Sequence, residues 1–206
     1  TTGAGDITLG AVTGGGFNLT LSTGAGIAGA DVSGTSVSGV GTLGLSNIGG
    51  TATFTADVSA TTLSVPGTVV NFSSTGTGGT IVNAVSFANT GTLTLGQAAG
   101  TQTYTGGLNT TAVGGLVTLK GTILSANTAQ TYGAVTLGAA TTLNTQATTG
   151  AGDITLGAVT GGGFNLTLST GAGIAGADVN GTSVSGVGTD RKSTRLNSSH
   201  EGISRM

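Results

Sequence analysis

The chain has 206 residues, of which 42 are glycine, one is proline and none is cysteine, and charged residues make up only 6%. Five basic side chains cannot neutralise a run of phosphates, so the composition excludes a nucleic-acid-binding protein. The lack of cysteine excludes a disulfide framework and thiol chemistry. Apolar runs are only a few residues long, which excludes a hydrophobic segment long enough to span a bilayer.

The sequence repeats at two scales. Residues 1–42 recur as residues 148–189 with one difference, Ser33 against Asn180, which defines a unit of 147 residues. Within the unit, Thr-Leu pairs recur at shorter steps, beginning at Thr20, Thr42, Thr62, Thr94, Thr118, Thr136 and Thr155. A period of about 21 residues, with about seven periods in a unit, is typical of a solenoid.

In chain order, most periods contain a short stretch in which apolar residues alternate with polar or small ones. These stretches are Ile7–Leu9, Phe17–Leu21, Leu43–Leu45, Leu63–Val65, Val85–Phe87, Leu93–Leu95, Val117–Leu119 and Val135–Leu137. Alternation predicts β-strands with one face in a core, and the stiff threonine side chain suits the solvated face. Glycine clusters such as Gly14–Gly16 predict the turns between strands.

Strands this short are not stable singly, but stacked in parallel from coil to coil they bury one continuous core. We therefore predict an all-β fold, a parallel β-helix (β-solenoid) with coils of about 21 residues and no capping repeat at either end. An uncapped solenoid exposes strand edges, so we also expect self-association through its open ends. The alternatives are low complexity and an array of β-sandwiches, although a sandwich has longer strands and a more aromatic core.

Three segments resemble a known group of proteins. Gly5–Gly10 (GDITLG), Gln102–Tyr104 (QTY) and Gln130–Gly138 (QTYGAVTLG) resemble the repeats of very large bacterial surface proteins of the filamentous-haemagglutinin-like and autotransporter-passenger group. The resemblance extends over residues 1–189. It implies a secreted, cell-surface, right-handed β-helix that acts as a stalk or an adhesin.

The composition changes at residue 190. Half of the charged residues lie in residues 190–206, and Asp190–His200 (DRKSTRLNSSH) resembles the in-frame translation of a sequencing-library adapter. We therefore divide the chain into a β-solenoid repeat segment, residues 1–189, and a non-native or disordered tail, residues 190–206. We expect the natural chain to begin before Thr1 and to continue past residue 189.

The segment Gly24–Gly29 (GAGIAG) matches the glycine pattern of a dinucleotide-binding loop. Such a loop must be followed by a helix that presents its N-terminus to phosphate, and Ala30–Thr35 (ADVSGT) does not predict a helix. We interpret the glycines as a turn between coils, and we expect no cofactor.

Residues 1–189 contain six charged side chains, which are Asp6, Asp31, Asp57, Lys120, Asp153 and Asp178. The aspartates recur too sparsely for a calcium-binding nonapeptide repeat, so we predict that they cap turns and hold no metal. Asp6 and Asp31 would lie on adjacent coils, but a catalytic pair would need a cationic partner, and Lys120 is the only cation. Without a histidine there is no nucleophilic triad. We predict no catalytic residues and no enzyme activity.

Two features offer candidate binding surfaces. Thr-x-Thr runs begin at Thr51, Thr75, Thr92 and Thr101, and aligned runs would form the flat hydroxyl face of an ice-binding solenoid. Their unequal spacing does not predict one aligned column. Tyr104 and Tyr132 would stack on sugar rings if they were exposed, although packing in the core or a turn is the favoured interpretation.

Together these features predict a non-catalytic structural or adhesive repeat region of a large secreted bacterial cell-surface protein. Its partners would be host or cell-surface glycans or proteins, and its location would be the outer-membrane-associated cell surface. The alternative is a β-helix protein that binds or cleaves polysaccharides, and a remote alternative is an ice-binding solenoid.

Overall fold

A computed structural model describes residues 5–188 and 190–193, and strands make up 55% of it. None of the described residues is helical. The strands, numbered in chain order, are β1 Ile7–Thr13, β2 Leu19–Ser22, β3 Val32–Ser46, β4 Ile48–Phe54, β5 Val58–Ser64, β6 Val69–Ser74, β7 Thr80–Ile81, β8 Val85–Ser86, β9 Leu93–Leu95, β10 Thr101–Tyr104, β11 Leu108–Asn109, β12 Val117–Leu124, β13 Gln130–Tyr132, β14 Val135–Asn144, β15 Ile154–Thr160, β16 Leu166–Ser169, β17 Val179–Ser185 and β18 Asp190–Ser193.

The strands stack as a parallel β-solenoid of about 8 turns, which confirms the predicted fold class. Successive coils lie about 23 residues apart, slightly more than the predicted 21. The step is not constant. Ile7 pairs with Val32, 25 residues later, whereas Val117 pairs with Val135, 18 residues later. Turns of unequal length absorb this variation and leave the strands aligned.

Three ladders of paired strand segments run along the solenoid. Ladder A joins Ile7–Leu9, Val32–Gly34, Ala52–Phe54, Phe72–Ser74, Leu93–Leu95, Val117–Leu119, Val135–Leu137, Val159–Thr160 and Val184–Ser185. Ladder B runs from Ala11–Thr13 to Asp190–Ser193. Ladder C runs from Leu19–Ser22 to Val179–Gly181. Each coil contributes to all three.

The duplicated segment does not return to the ladder on which it began. Ile7 lies on ladder A and its copy Ile154 on ladder C, while Val12 lies on ladder B and its copy Val159 on ladder A. Six steps along ladder A lead from Ile7 to Val135, which is six full coils. From Val135 the chain passes ladder B and reaches Ile154 on ladder C, which adds two-thirds of a coil. The 147-residue unit therefore spans six and two-thirds coils of about 22 residues, close to the predicted seven periods of 21 but not a whole number of coils.

Buried apolar side chains from all three ladders form one core. Within it, the rings of Phe54, Phe72, Phe87 and Tyr104 make consecutive contacts, with centroids 6.3, 5.8 and 6.1 Å apart. Gly34 pairs with Phe54, and a Cβ atom at Gly34 would lie 2.7 Å from the phenyl ring. Glycine at this position therefore makes room for the neighbouring aromatic side chain.

Phe17 differs from its prediction. Alternation with Leu19 and Leu21 placed it on the inward face, yet its side chain is 80% exposed. The reason is the turn before β2, in which Gly15 and Gly16 have φ values of 58° and 86°. The strand begins only at Leu19, so the alternating face starts after Phe17.

The predicted tail is described only at its beginning. Asp190–Ser193 pairs in parallel with Leu166–Ser169 on ladder B, and residues 194–206 lie outside the described residues. Backbone pairing does not bear on where this segment came from. Its resemblance to an adapter translation stays a prediction.

Candidate functional site

The glycine-rich segment Gly24–Gly29 is a turn. Its three pattern glycines have φ values of 100°, 74° and 75°, a region that favours glycine, and the chain then enters β3 at Val32 without a helix. The copy, Gly171–Gly176, has nearly the same φ values of 102°, 70° and 81°. The interpretation as a turn between coils is confirmed, and no helix N-terminus is present here to hold a phosphate.

Four of the five aspartates, Asp6, Asp31, Asp57 and Asp153, accept a hydrogen bond from the next coil. Asp6 Oδ1 accepts the backbone N–H of Asp31 at 2.9 Å, and Asp31 Oδ1 accepts that of Thr51. Asp57 Oδ1 accepts the N–H of Gly78 at 2.7 Å in the same way. The predicted capping role is therefore carried out between coils. No group of three acidic, histidine or cysteine side chains suited to a metal occurs within the described ranges.

Asp6 and Asp31 are neighbours, as the spacing of one coil predicted. Lys120 follows Leu119, four steps along ladder A from the segment that contains Val32. At about 4.8 Å per step this separation is about 19 Å, too far for the lysine to assist the two carboxylates. The geometry thus adds no catalytic partner to the aspartates, and the absence of enzyme activity stays a prediction.

Both tyrosines lie in the core, as the favoured interpretation predicted. Tyr104 is 3% exposed and its hydroxyl donates to Gln102 Oε1 at 3.2 Å, and Tyr132 is 2% exposed and donates to Gln130 Oε1 at 2.9 Å. The amide nitrogen of Gln102 donates in turn to the Ser74 carbonyl at 2.9 Å. In each Gln-Thr-Tyr sequence the tyrosine and the glutamine therefore form a buried pair whose polar groups are hydrogen-bonded within the core. Neither tyrosine ring is available to a sugar.

Alkaline pH is expected to destabilise the protein through these tyrosines. Burial raises the pKa of both hydroxyls above the ordinary value of 10.0, and the proximity of Tyr104 raises that of Tyr132 further. The folded state keeps protons that the unfolded state releases, so this stabilisation is complete below about pH 10 and declines as the pH rises beyond it. Because these are the only tyrosines, ultraviolet absorbance should show no tyrosinate until the β-sheet circular dichroism is lost. Ionisation of the tyrosines near pH 10 while the fold remains intact would contradict this prediction.

One small cavity lies between coils in the described part of the chain. It has a volume of about 10 Å³ and lies beside Val58, Ser74 and Gln102. A volume of this size holds at most one water molecule. This cavity is therefore too small for a sugar or any other organic ligand.

One outward column of hydroxyl groups follows the whole of ladder A. Its members are the second residue of each ladder A segment, which points outward, and we call the set the hydroxyl column. These residues are Thr8, Ser33, Thr53, Ser73, Thr94, Thr118, Thr136, Thr160 and Ser185. Each member pairs directly with the next, so the spacing is about 4.8 Å and the column is about 38 Å long. Every member carries a hydroxyl group and none carries a charge.

The expectation that the Thr-x-Thr runs do not align is wrong for three of them, because Thr53 aligns with Thr94 and Thr55 aligns with Thr75. Thr53 and Thr94 share the column because Ser73 lies between them, at steps of 20 and 21 residues. Thr101–Thr105 begins in β10 on ladder B and does not join them. The Thr-x-Thr pattern does not identify the whole column, because serine fills three of its nine positions. A better signal is the hydroxyl residue that follows the first inward apolar residue of each segment.

A second, shorter column adjoins the first. Thr35, Thr55 and Thr75 lie two residues after Ser33, Thr53 and Ser73 in the chain. The N–H groups of Thr55 and Thr75 donate to the carbonyls of Gly34 and Phe54, so the parallel pairing continues past the ends of β4 and β6. We call these three threonines the short column. Two residues along a strand correspond to about 6.7 Å. Over three coils the two columns therefore form a grid of hydroxyl groups.

The hydroxyl groups of the main column face solvent without internal partners. Among the described residues none from Thr8 to Thr160 makes a side-chain hydrogen bond, and only Ser185 donates, to the carbonyl of Val159 at 3.2 Å. By contrast, Thr92, on the other side of the column, bonds to Asn71 Oδ1 at 3.0 Å. These hydroxyl groups can therefore donate to and accept from molecules outside the protein.

No family model matches the chain, and no match was found among curated proteins or solved structures. Within the described part of the chain, no helix is long and apolar enough to cross a membrane.

Proposed function

We propose that this chain is a non-catalytic rod segment of a large secreted bacterial surface protein, which holds adhesive parts away from the cell. The observation that carries the proposal is the continuity of ladder A, in which nine strand segments pair without a break. In a parallel solenoid the backbone hydrogen bonds run along the rod axis, so they resist extension and bending along its length.

Contacts between coils reinforce this role. Asp31 and Asp57 accept backbone N–H groups of the next coil at 2.6 and 2.7 Å, and Asn71 accepts the N–H of Thr92 at 2.8 Å. Hydrogen bonds to a charged acceptor are stronger than those between neutral groups. These side chains act as cross-links at the turns, where the strand ladders are interrupted.

The surface suits an extracellular position. Residues 1–189 carry five aspartates and one lysine, and the outward positions of ladder A are mainly hydroxyl groups. Such a surface has little ionic attraction for unrelated molecules. The resemblance of Gly5–Gly10 and Gln130–Gly138 to surface-protein repeats supports secretion, with host or cell-surface glycans or proteins as partners.

Surface display tests the proposal. The chain is placed between an outer-membrane anchor and a terminal epitope, and energy transfer between dyes on the epitope and in the membrane reports their separation. We expect the epitope to lie about 38 Å farther out than in a fusion without the chain. Thr118→Pro removes a donor from the middle of ladder A, so the coils beside it should become flexible and the distribution of distances should broaden.

Two results would contradict the proposal. Equal distances with and without the chain would exclude a spacer, and cleavage of polysaccharides by the purified chain would exclude a non-catalytic role. Light scattering on the same preparation checks the predicted self-association.

A further inference from the structure

We propose that the hydroxyl column and the short column bind the surface of ice. The inference goes beyond the rod function and does not depend on it. It rests on the alignment of nine hydroxyl groups along ladder A and of three more beside them.

The periodicity of the column restricts its ligand. A ligand that meets every hydroxyl group in the same way must itself repeat at about 4.8 Å along one direction and at about 6.7 Å across it. The oxygen lattice of ice repeats at comparable distances in a plane. A folded protein partner presents an irregular surface and would contact only part of such a column.

The chemistry of the column also suits ordered water. Threonine offers a donor, two acceptors and a methyl group, and its branched side chain has few rotamers, so little entropy is lost when water orders against it. The hydroxyl groups of Thr53, Thr94 and Thr118 have no intramolecular partner among the described residues. They can enter a lattice of water hydrogen bonds without breaking bonds within the protein.

Charges are kept to the margins of the face. Asp6 and Asp31 border its first two coils, Asp57 follows Thr55 by two residues on the third, and Lys120 borders the sixth. The coils between them present Thr51, Asn71 and Thr92 beside the column, and their polar groups are already tied to neighbouring coils. The uncharged centre of the face is therefore the stretch of the hydroxyl column around Ser73 and Thr94.

A polysaccharide fits the same face less well. Recognition of sugars relies on aromatic rings that cover the faces of the sugar rings, and both tyrosines are buried. The exposed Phe17 and Phe164 lie in turns outside ladder A. Nothing on the column itself can supply the stacking contact that a sugar would need.

The experiment measures thermal hysteresis and inhibition of ice recrystallisation by the 206-residue chain. We expect both to exceed the buffer value. Thr94→Arg and Thr53→Arg each place a bulky charge in the column and should lower thermal hysteresis about tenfold at equal protein concentration. Thr131→Arg is the matched control, because Thr131 is equally half-buried but faces outward from ladder C. It should leave thermal hysteresis unchanged.

Circular dichroism confirms that each variant keeps the fold. The proposal is overturned if the wild-type chain shows no thermal hysteresis, or if Thr131→Arg lowers it as much as Thr94→Arg. It is also overturned if the wild-type chain is retained on crystalline cellulose or chitin and Thr94→Arg abolishes that retention. The same holds if light scattering shows contacts between copies that Thr94→Arg abolishes. None of these results alters the distance measured by surface display, so the rod function is judged separately.

Discussion

Replacement of Phe72 by alanine is expected to destabilise the solenoid by about 3–5 kcal/mol. The phenyl ring is 1% exposed and lies between Phe54 and Phe87, with centroid distances of 6.3 and 5.8 Å. Its removal leaves a cavity in the middle of the rod and ends the chain of ring contacts that leads to Tyr104. Urea denaturation followed by circular dichroism measures the loss.

Phe17→Ala is the matched control for this substitution. The Phe17 side chain is 80% exposed in its turn, so its removal should change stability by no more than about 0.5 kcal/mol. Because solenoids can unfold coil by coil, hydrogen exchange should accompany the denaturation experiment. Faster exchange is expected around Phe54 and Phe87. A similar loss of stability in both variants would contradict the proposed core.

The duplicated segment allows the same substitution in two copies of one sequence. Leu156 is 3% exposed, between Tyr132 on one neighbouring coil and Gly181 on the other, and Leu156→Ala should cost about 2–5 kcal/mol. Its counterpart Leu9 is only partly buried and pairs with Gly34 alone among the described residues. Leu9→Ala should cost about 1 kcal/mol.

The comparison of the two leucines isolates the contribution of a second neighbouring coil. Sequence, strand and nearest side chains along the chain are the same in both copies, so propensity and unfolded-state effects cancel. The difference in the free energy of unfolding is read from urea denaturation of both variants. Equal costs would mean that stacking of coils does not supply the core energy.

Pairing between adjacent coils is decided locally. Ile7 pairs with Val32 on ladder A, and the copies Ile154 and Val179 pair in the same register on ladder C. The register therefore follows the side chains of the two coils in contact, since a slip of one residue would turn every inward side chain outward. The position of the pair around the rod has no effect on it.

Much of the fold could be predicted from alternation. Leu93–Leu95, Val117–Leu119 and Val135–Leu137 occur as strand segments with their apolar ends buried. Phe17 was misplaced because alternation does not show where a turn ends. The fractional coil count was not predicted because turns can be lengthened without any change in the strands, which leaves no trace in the apolar pattern.

Less of the candidate site could be predicted. The burial of Tyr104 and Tyr132 was the favoured interpretation, but their glutamine partners were not identified. The hydroxyl column was missed because Thr53, Ser73 and Thr94 align only if the intervening coils have suitable lengths. The length of a coil is the sum of its strand and turn lengths, and it becomes known only from which residues pair between coils.

The sequence by itself determined that the chain forms short parallel strands with glycine turns, an uncharged hydroxyl-rich exterior and no cysteine chemistry. These properties follow from local preferences, which each residue expresses with its immediate neighbours. The tertiary structure alone decided that the 147-residue unit spans six and two-thirds coils, that aspartates such as Asp31 bond between coils, and that nine hydroxyl groups form one column. Those relations join residues about one coil apart, and they exist only once the coils are stacked.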